Sequence, residues 1–362
     1  MSGSDGAGVA ALHWLTRRIA PGRPATPARR AVTDYGWIAV FAVGVVLLKA
    51  GMGEEQSNQY LLNLWLLYTL AALGFYLVFG LAGRFAFSQT FMMALGAYLS
   101  TWLSLERPVW QAVLISVVLA TLVALGLGLM LVRANEFYFG IATLAIAGIG
   151  TIVFKSWESF AGPSGVRYLI QPVELGDFVA NTQDAVFKVL LPIAVIALVL
   201  VSLIERSPMR RESIASRDQP MVARTLGIPV AWNQVLMFVI GSVFASVAGS
   251  LYAHWQGVIT PTTFGIDLSI GIFLMAILGG LGSKWGVVMG AAFYVFIPQA
   301  MQSLEAYQNL IYGAVLVVII ILLPEGLVGI GGRVRAFVAA RLRARQAGAA
   351  EPGRTPKAVR DA

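Results

Sequence analysis

Very few side chains in this sequence have the types and spacing that catalysis or metal binding requires. The 362 residues include no cysteine and only two histidines, His13 and His254, which lie far apart in the sequence. Neither histidine therefore has a nearby second ligand with which to hold a metal ion. No Walker-type phosphate-binding loop occurs, so any ATP that drives this protein is expected to bind to another chain. The sequence predicts that the protein is not an enzyme.

Ionisable residues inside the long apolar stretches are also rare. Lys49, Lys188 and Asp267 lie near the ends of such stretches, where a charged group can reach the polar boundary of a membrane. Carriers driven by proton or sodium gradients commonly use ionisable groups near the middle of the bilayer. The sequence therefore disfavours a stand-alone carrier or channel driven by a gradient. Such a protein is the second hypothesis for the function.

Residues 205–233 are a polar island between two apolar stretches, and they contain a short helix with defined ends. Asp218 or Gln219 is predicted to start this helix. Pro220 falls in its first turn and Gly227 ends it, because proline suits the first turn and glycine suits the left-handed conformation after the last. A helix of two turns is not stable alone, so it needs a surface on which to dock.

These polar elements must be positioned by a scaffold that is mostly apolar. The sequence is 58% hydrophobic and 12% charged, about half the charged fraction of a soluble domain. Repeated apolar stretches of roughly 18 residues or more are typical of transmembrane helices. We therefore predict an all-α polytopic membrane protein. The ten candidate spans are residues 35–53, 60–79, 85–105, 109–132, 137–154, 185–204, 235–255, 264–281, 285–301 and 307–323.

The distribution of basic residues predicts the orientation of these spans. Arginine and lysine fall in alternate breaks and in both tails, which places both termini in the cytoplasm. The net charge of +8 is therefore explained by the membrane topology, and it does not indicate a nucleic-acid partner.

The number of spans depends on residues 264–301, which contain one strong break. They form either two spans or two partial ones, so eight spans are the alternative to ten. The predicted regions are a basic tail at 1–34, a transmembrane domain at 35–330 with an external loop at 155–184 and a cytoplasmic loop at 205–233, and a second basic tail at 331–362, which begins on the lipid of the inner leaflet.

Small residues cluster at helical spacing in several spans. Gly96 lies between Ala94 and Ala97, and Gly249 follows Ala248. Small side chains allow two helices to approach closely in lipid. Tight packing is the preferred explanation of these clusters over a role in gating.

Residues 217–228 read RDQPMVARTLGI and resemble the cytoplasmic coupling segment of ABC importer permeases of the branched-chain amino acid (LivM) type. Other stretches, in the same order, are similar to further signatures of that family, and together they cover about residues 70–324. They are LGAY at 95–98, YF with TLA at 138–145, GPSGV at 162–166, AGSLYA at 248–253 and AILGGLGS at 276–283.

The resemblance implies a multi-pass protein of a bacterial inner membrane that forms half of a translocation pore. A second homologous permease would complete the pore, and a periplasmic substrate-binding protein would deliver branched-chain or related amino acids to it. Two ABC ATPase subunits, which bind ATP and Mg²⁺, would dock on the predicted helix. The residues implied in this coupling contact are Arg217, Asp218, Ala223, Arg224, Leu226 and Gly227.

The substrate path is predicted where polar or aromatic side chains lie beside flexible backbone, and a hinge is predicted at a glycine cluster. The path residues are Tyr138, Phe139, Thr143, Gly162, Ser164 and Gly165, and the hinge residues are Gly279, Gly280 and Gly282.

The sequence also departs from the family pattern at several positions. Pro220 stands where the family usually has an acidic residue, and Arg84, Gln89, Glu136 and Pro163 differ as well. Because sister permeases for urea or short amides share this architecture, they are the alternative for the cargo.

Overall fold

A computed structural model describes residues 27–53, 55–175 and 178–300, together with Gly313 and Gly326. The chain divides into two units, Met1–Leu48 and Lys49–Ala362. Helix α1 (Pro27–Met52) makes up the described part of the first unit and ends in the second. All the elements that concern the candidate site lie in the second unit.

The second unit is built almost entirely from helices, with one small β-hairpin. In chain order its helices are α2 (Gln56–Phe75), which continues as a π-helical turn (Tyr76–Leu81), then α3 (Gln89–Leu103), α4 (Val109–Leu131), α5 (Glu136–Ser156), α6 (Glu158–Ala161), a 3₁₀ turn (Pro163–Gly165), α7 (Gln183–Arg206), α8 (Pro208–Asp218), α9 (Pro220–Thr225), α10 (Val230–Gln256), a second 3₁₀ turn (Pro261–Phe264), α11 (Ile266–Gly279) and α12 (Lys284–Ala300). The hairpin pairs β1 (Glu174–Leu175) with β2 (Phe178–Val179) in antiparallel register.

The fold class predicted from the sequence is confirmed. Seven of the described helices are long and apolar enough to cross a membrane. Two other predicted spans are shorter, since α3 has 15 residues and α12 has 17. At 1.5 Å per residue they are about 22 and 26 Å long, less than the roughly 30 Å of a bilayer core. The predicted span at 307–323 and most of the two basic tails lie outside the described residues, so the count of ten and the cytoplasmic termini stay predictions.

Helix α10 is the element on which the second unit is assembled, because it packs against α2, α3 and α4. The contact with α3 depends on glycines on both helices. A Cβ atom on Gly96 would lie within 3.0 Å of the backbone of Ser246, and one on Gly249 would do the same with the backbone of Met93. The helices therefore touch backbone to backbone at this crossing. Tight packing, the explanation preferred from the sequence, is observed at these two glycines.

The external loop predicted at 155–184 has structure of its own. Besides α6, the 3₁₀ turn and the hairpin, its backbone pairs with the segment that follows α10, through an antiparallel bridge between Arg167 and Ile259. The side chain of His254 also reaches this loop, with Nδ1 at 2.6 Å from the carbonyl oxygen of Gln171. These contacts fix the loop on the ends of the spanning helices.

Candidate coupling face and substrate path

The polar island folds into two helices, whereas the sequence predicted only one. Helix α9 begins at Pro220 after Gln219, where the sequence predicted a start. Helix α8 precedes it, with Ser207 before its first turn and Pro208 at its first position. Serine followed by proline is a recognised start signal, so the pair could have predicted α8.

The end of α9 at Gly227 is confirmed, and its geometry explains the glycine. Gly227 has a φ of +81°, in the left-handed region that glycine enters without strain. The amides of Gly227 and Ile228 donate to the carbonyl oxygens of Arg224 and Ala223, both at 3.0 Å. This is the Schellman pattern that closes a helix. No atom lies within 4 Å of the position that a Cβ on Gly227 would take, so the backbone conformation alone constrains this residue.

Helix α9 has one buried face and one exposed face. Ala223 is only 2% exposed and packs against its own chain. Met221, Val222 and Leu226 are 76%, 50% and 74% exposed. Of the two apolar residues predicted for the coupling contact, Leu226 is therefore accessible to a partner and Ala223 is not.

The end of α8 is attached to the transmembrane helices through Arg217. Its Nη1 donates to the carbonyl oxygen of Gly80 at 2.6 Å, and its Nε donates to Oδ1 of Asp218 at 2.8 Å. Gly80 belongs to the π-helical turn that extends α2. Arg217, predicted as a coupling residue, thus holds the island on its own chain, and Asp218, also predicted, pairs with Arg217.

A largely buried ion pair joins three helices at the start of the island, and sequence reasoning missed it. Nζ of Lys284, a residue that is only 4% exposed, donates to Oε2 of Glu205 at 2.7 Å. The hydroxyl of Tyr76 donates to the other carboxylate oxygen, also at 2.7 Å. Charges away from water need such partners. The carboxylate therefore links α7 to the start of α12 and to the π-helical turn.

Thr143, a predicted path residue, holds the non-helical segment 82–88 between the π-helical turn and α3. Its Oγ1 accepts from the amide of Phe87 at 3.2 Å and donates to the carbonyl oxygen of Phe85 at 3.0 Å. Non-helical backbone at membrane depth requires partners of this kind within the protein. Because the Thr143 side chain is fully buried, its observed role is to position this segment.

The neighbouring aromatic residues of the predicted path point in different directions. Tyr138 is 65% exposed, whereas Phe139 is buried. The ring of Phe139 meets Phe238 edge to face, with ring centres 5.8 Å apart. The guanidinium carbon of Arg84 lies 5.3 Å from the centre of the Phe139 ring. Phe139 therefore belongs to the packing between α5 and α10.

The remaining path residues lie in a turn beyond the other end of α5. Gly162, Ser164 and Gly165 have φ values of +90°, +52° and +78°, and the hydroxyl of Tyr98 donates to the carbonyl oxygen of Gly165 at 2.6 Å. Helix α5 has 21 residues and is about 31 Å long. The structure therefore places the predicted path residues in two groups at opposite ends of α5, not in one pocket.

Arg167 holds this turn in place through hydrogen bonds to two other segments. Its Nη1 donates to the carbonyl oxygen of Thr101 at 3.0 Å, and its Nη2 and Nε donate to that of Phe160 at 2.8 and 3.1 Å. Burial lowers the pKa of Arg167 from its ordinary value, while the nearby Tyr98 opposes this shift. The guanidinium thus joins the loop to the end of α3.

We predict that Arg167→Met loosens the external loop. The substitution keeps much of the side-chain length but removes charged hydrogen bonds worth about 1.5–3 kcal/mol each. Hydrogen exchange of the amides at 157–170 should become at least tenfold faster, with α10 unchanged. The exposed Arg107 provides the control, because Arg107→Met removes the same charge from a neighbouring turn. Equal exchange rates in the two variants would contradict the role of Arg167.

The glycines of the predicted hinge lie where α11 meets α12. A Cβ on Gly279 would overlap the backbone of Gly286, and Gly280 has a φ of +101°. Gly282 lies in open space. Gly279 and Gly280 therefore belong to a close-packed corner, and bending at this corner stays a prediction.

Comparison with known proteins gives a consistent result. Residues 58–320 match the family model described as branched-chain amino acid transport system / permease component. The high-affinity branched-chain amino acid transport permease LivM of Escherichia coli K12 is 26% identical over 290 residues, which cover 73% of this chain and 68% of LivM. LivH of the same strain is 27% identical over 72% of this chain and 91% of LivH. BraD of Pseudomonas aeruginosa is 26% identical over the same shares. No solved structure matches the chain.

The match to the family model covers well over half of the chain and contains nearly all of α2 and the whole of α3 to α12, including the island, the segment 82–88 and the loop at 155–184. The relatives are permease proteins of one kind of transport system. The chain therefore belongs to the branched-chain amino acid transport system permease family.

Proposed function

We propose that this chain is one permease subunit of an ATP-driven importer in a bacterial inner membrane. It forms half of the pore with a second homologous permease, and α9 docks on one of two ABC ATPase subunits, which bind ATP and Mg²⁺. The observation that carries the proposal is the exposed face of α9, with Met221, Val222 and Leu226 on a short helix whose end is closed by Gly227. A small apolar patch with a charged surround is typical of a docking surface.

The contacts of the island supply a route from α9 to the spanning helices. Helix α8, which leads into α9, is bonded through Arg217 to Gly80. Helix α7, which leads into α8, is bonded through Glu205 to Tyr76 and Lys284. In the proposed mechanism, closure of the ATPase pair displaces α9, and these bonds pass the displacement to the π-helical turn and to α12.

The proposed cargo is a branched-chain or related amino acid, delivered by a periplasmic binding protein. The names of the relatives support this choice. Uptake of labelled leucine should require this chain together with a second permease, ATPase subunits and a periplasmic binding protein. Labelled urea and acetamide, tested in the same cells, represent the alternative cargo. Uptake of either amide with no uptake of leucine would overturn the amino-acid assignment.

We predict that Leu226→Asp prevents association with the ATPase subunits. A carboxylate on the exposed face of α9 cannot enter an apolar groove without a cost of several kcal/mol, so at least a hundredfold weaker association is expected. The measurement is co-purification of the ATPase with the tagged permease, followed by ATPase activity of the complex. Leu105 is 70% exposed, compared with 74% for Leu226, and it lies in the turn between α3 and α4. Leu105→Asp is therefore a matched control that should leave the complex intact. If the complex also stayed intact with Leu226→Asp, the docking role of α9 would be refuted.

A further inference from the structure

A cavity of about 380 Å³ lies beside α9, and the proposed transport mechanism does not use it. Its walls come from residues 82–84, the turn 132–136 between α4 and α5, the ends of α8 and α9, and the start of α10. The volume lies within the range of sites that hold small molecules or the headgroups of larger ones. The cavity is therefore large enough to hold a ligand.

The charge of the walls indicates the kind of ligand. Four arginines, Arg84, Arg133, Arg217 and Arg224, line the cavity together with one carboxylate, that of Glu136. Four positive charges and one negative charge give a local excess of three positive charges. The cavity therefore favours an anion.

Two of the four arginines already donate hydrogen bonds to other parts of the chain, and the other two donate none among the described residues. The Nη1 and Nη2 groups of Arg84 donate to Ala134 and Gln234, both at 2.6 Å, and Arg217 is bonded to Gly80 as described above. Arg133 and Arg224 are exposed and have no hydrogen-bond or ion-pair partner in the part of the chain that the structure describes. Arg133 and Arg224 are thus the guanidinium groups available to a ligand.

The surface on the membrane side of the cavity is apolar. The turn 132–136 joins α4 and α5, two candidate spans with little of their surface buried inside the protein. Large side chains next to this turn are exposed: Met130 to 77%, Phe137 to 73% and Tyr138 to 65%. In a membrane, such side chains meet acyl chains and the interfacial region. A positively charged site bordered by a lipid-exposed surface suits an amphipathic ligand with an anionic headgroup.

We infer that this cavity binds the headgroup of an acidic phospholipid, with its phosphate at Arg133 and Arg224 and its acyl chains along α4 and α5. Basic residues at the cytoplasmic side of a membrane attract anionic lipid, and guanidinium groups recognise phosphate with several hydrogen bonds at once. The site does not involve the cargo, and it shares Arg217 and Arg224 with the coupling contact expected from the sequence. A bound lipid would lie against α9 and the start of α10 and so fill the space beside the coupling helix.

The test uses the full-length chain in neutral phosphatidylcholine nanodiscs to which phosphatidylglycerol is added in steps. Native mass spectrometry counts the phosphatidylglycerol molecules that stay bound. Arg133→Gln should weaken the tightest binding about fivefold, and Arg133→Gln with Arg224→Gln should weaken it about 30-fold. The double variant Arg107→Gln with Arg211→Gln removes the same charge at two exposed arginines outside the cavity and should bind like the wild type.

Three results would overturn the inference. The first is equal loss of phosphatidylglycerol in the cavity variant and the control variant, which would mean that only net charge matters. The second is displacement of the lipid by millimolar glycerol phosphate, which would assign the cavity to a soluble phosphate ester. The third is unchanged phosphatidylglycerol binding in Arg133→Gln with Arg224→Gln, which would show that the lipid binds elsewhere on the protein.

Discussion

Glu205→Ala is expected to destabilise the protein by about 3–5 kcal/mol, because it leaves the buried ammonium group of Lys284 without its counter-charge. Lys284 is 4% exposed, and its Nζ lies 2.7 Å from the carboxylate of Glu205. The same substitution removes the acceptor of the Tyr76 hydroxyl. Three helices therefore lose one shared connection. Reversible unfolding in detergent measures the loss directly.

Two further variants test whether the loss of stability comes from breaking a buried ion pair or simply from removing a carboxylate. Glu205→Leu combined with Lys284→Met removes both charges and should recover most of the stability, because replacing a buried pair with apolar side chains is often neutral or stabilising. Glu106→Ala removes a carboxylate from an exposed turn and should change stability by less than about 1 kcal/mol. If Glu205→Ala were no more harmful than Glu106→Ala, the pair would not be the connection described.

Gly249→Ala is expected to cost about 3 kcal/mol or more, although it adds a single methyl group. The new Cβ would overlap the backbone of Met93 on α3, and a backbone cannot move aside as the end of a side chain can. Overpacking in a close-packed interior typically costs 1–3 kcal/mol, and here two helix axes must separate. The fraction of monodisperse protein and the midpoint of thermal unfolding should both fall.

Gly126 provides the matched control for this prediction. It lies in α4, also in a candidate span, and no atom lies within 4 Å of the position that its Cβ would take. Gly126→Ala should leave the thermal midpoint unchanged or raise it slightly, since alanine favours a helix by about 1 kcal/mol over glycine. Equal behaviour of the two alanine variants would show that α3 and α10 do not touch as closely as described.

The parts of the fold that depend on local sequence were predictable. The apolar stretch at 109–132 corresponds to α4 (Val109–Leu131), and proline and glycine chemistry located both ends of α9. Segment 82–88 was harder to predict, because its residues 85–88 are apolar enough to look like the start of a span. Its non-helical conformation depends on Thr143, more than 50 positions further along the chain.

The site was less predictable than the fold, because its connections are long-range. Glu205 and Lys284 are 79 positions apart, and nothing in either local sequence indicates the partner. Tyr138 and Gly162 were grouped by residue type, but the length of α5 keeps them at opposite ends of one helix. Arg217 was predicted to face a partner, and only the folded chain brings it to Gly80.

The distance in sequence between Glu205 and Lys284 also has a consequence for biosynthesis. A ribosome adds about 5–20 residues per second, so the lysine follows the glutamate by about 4–16 s, given the 79 positions between them. During that interval the carboxylate has the hydroxyl of Tyr76 available but no cation from α12. A nascent chain arrested after α10 would therefore lack the ion pair between Glu205 and Lys284, and the three helices would be joined only once the start of α12 had been made.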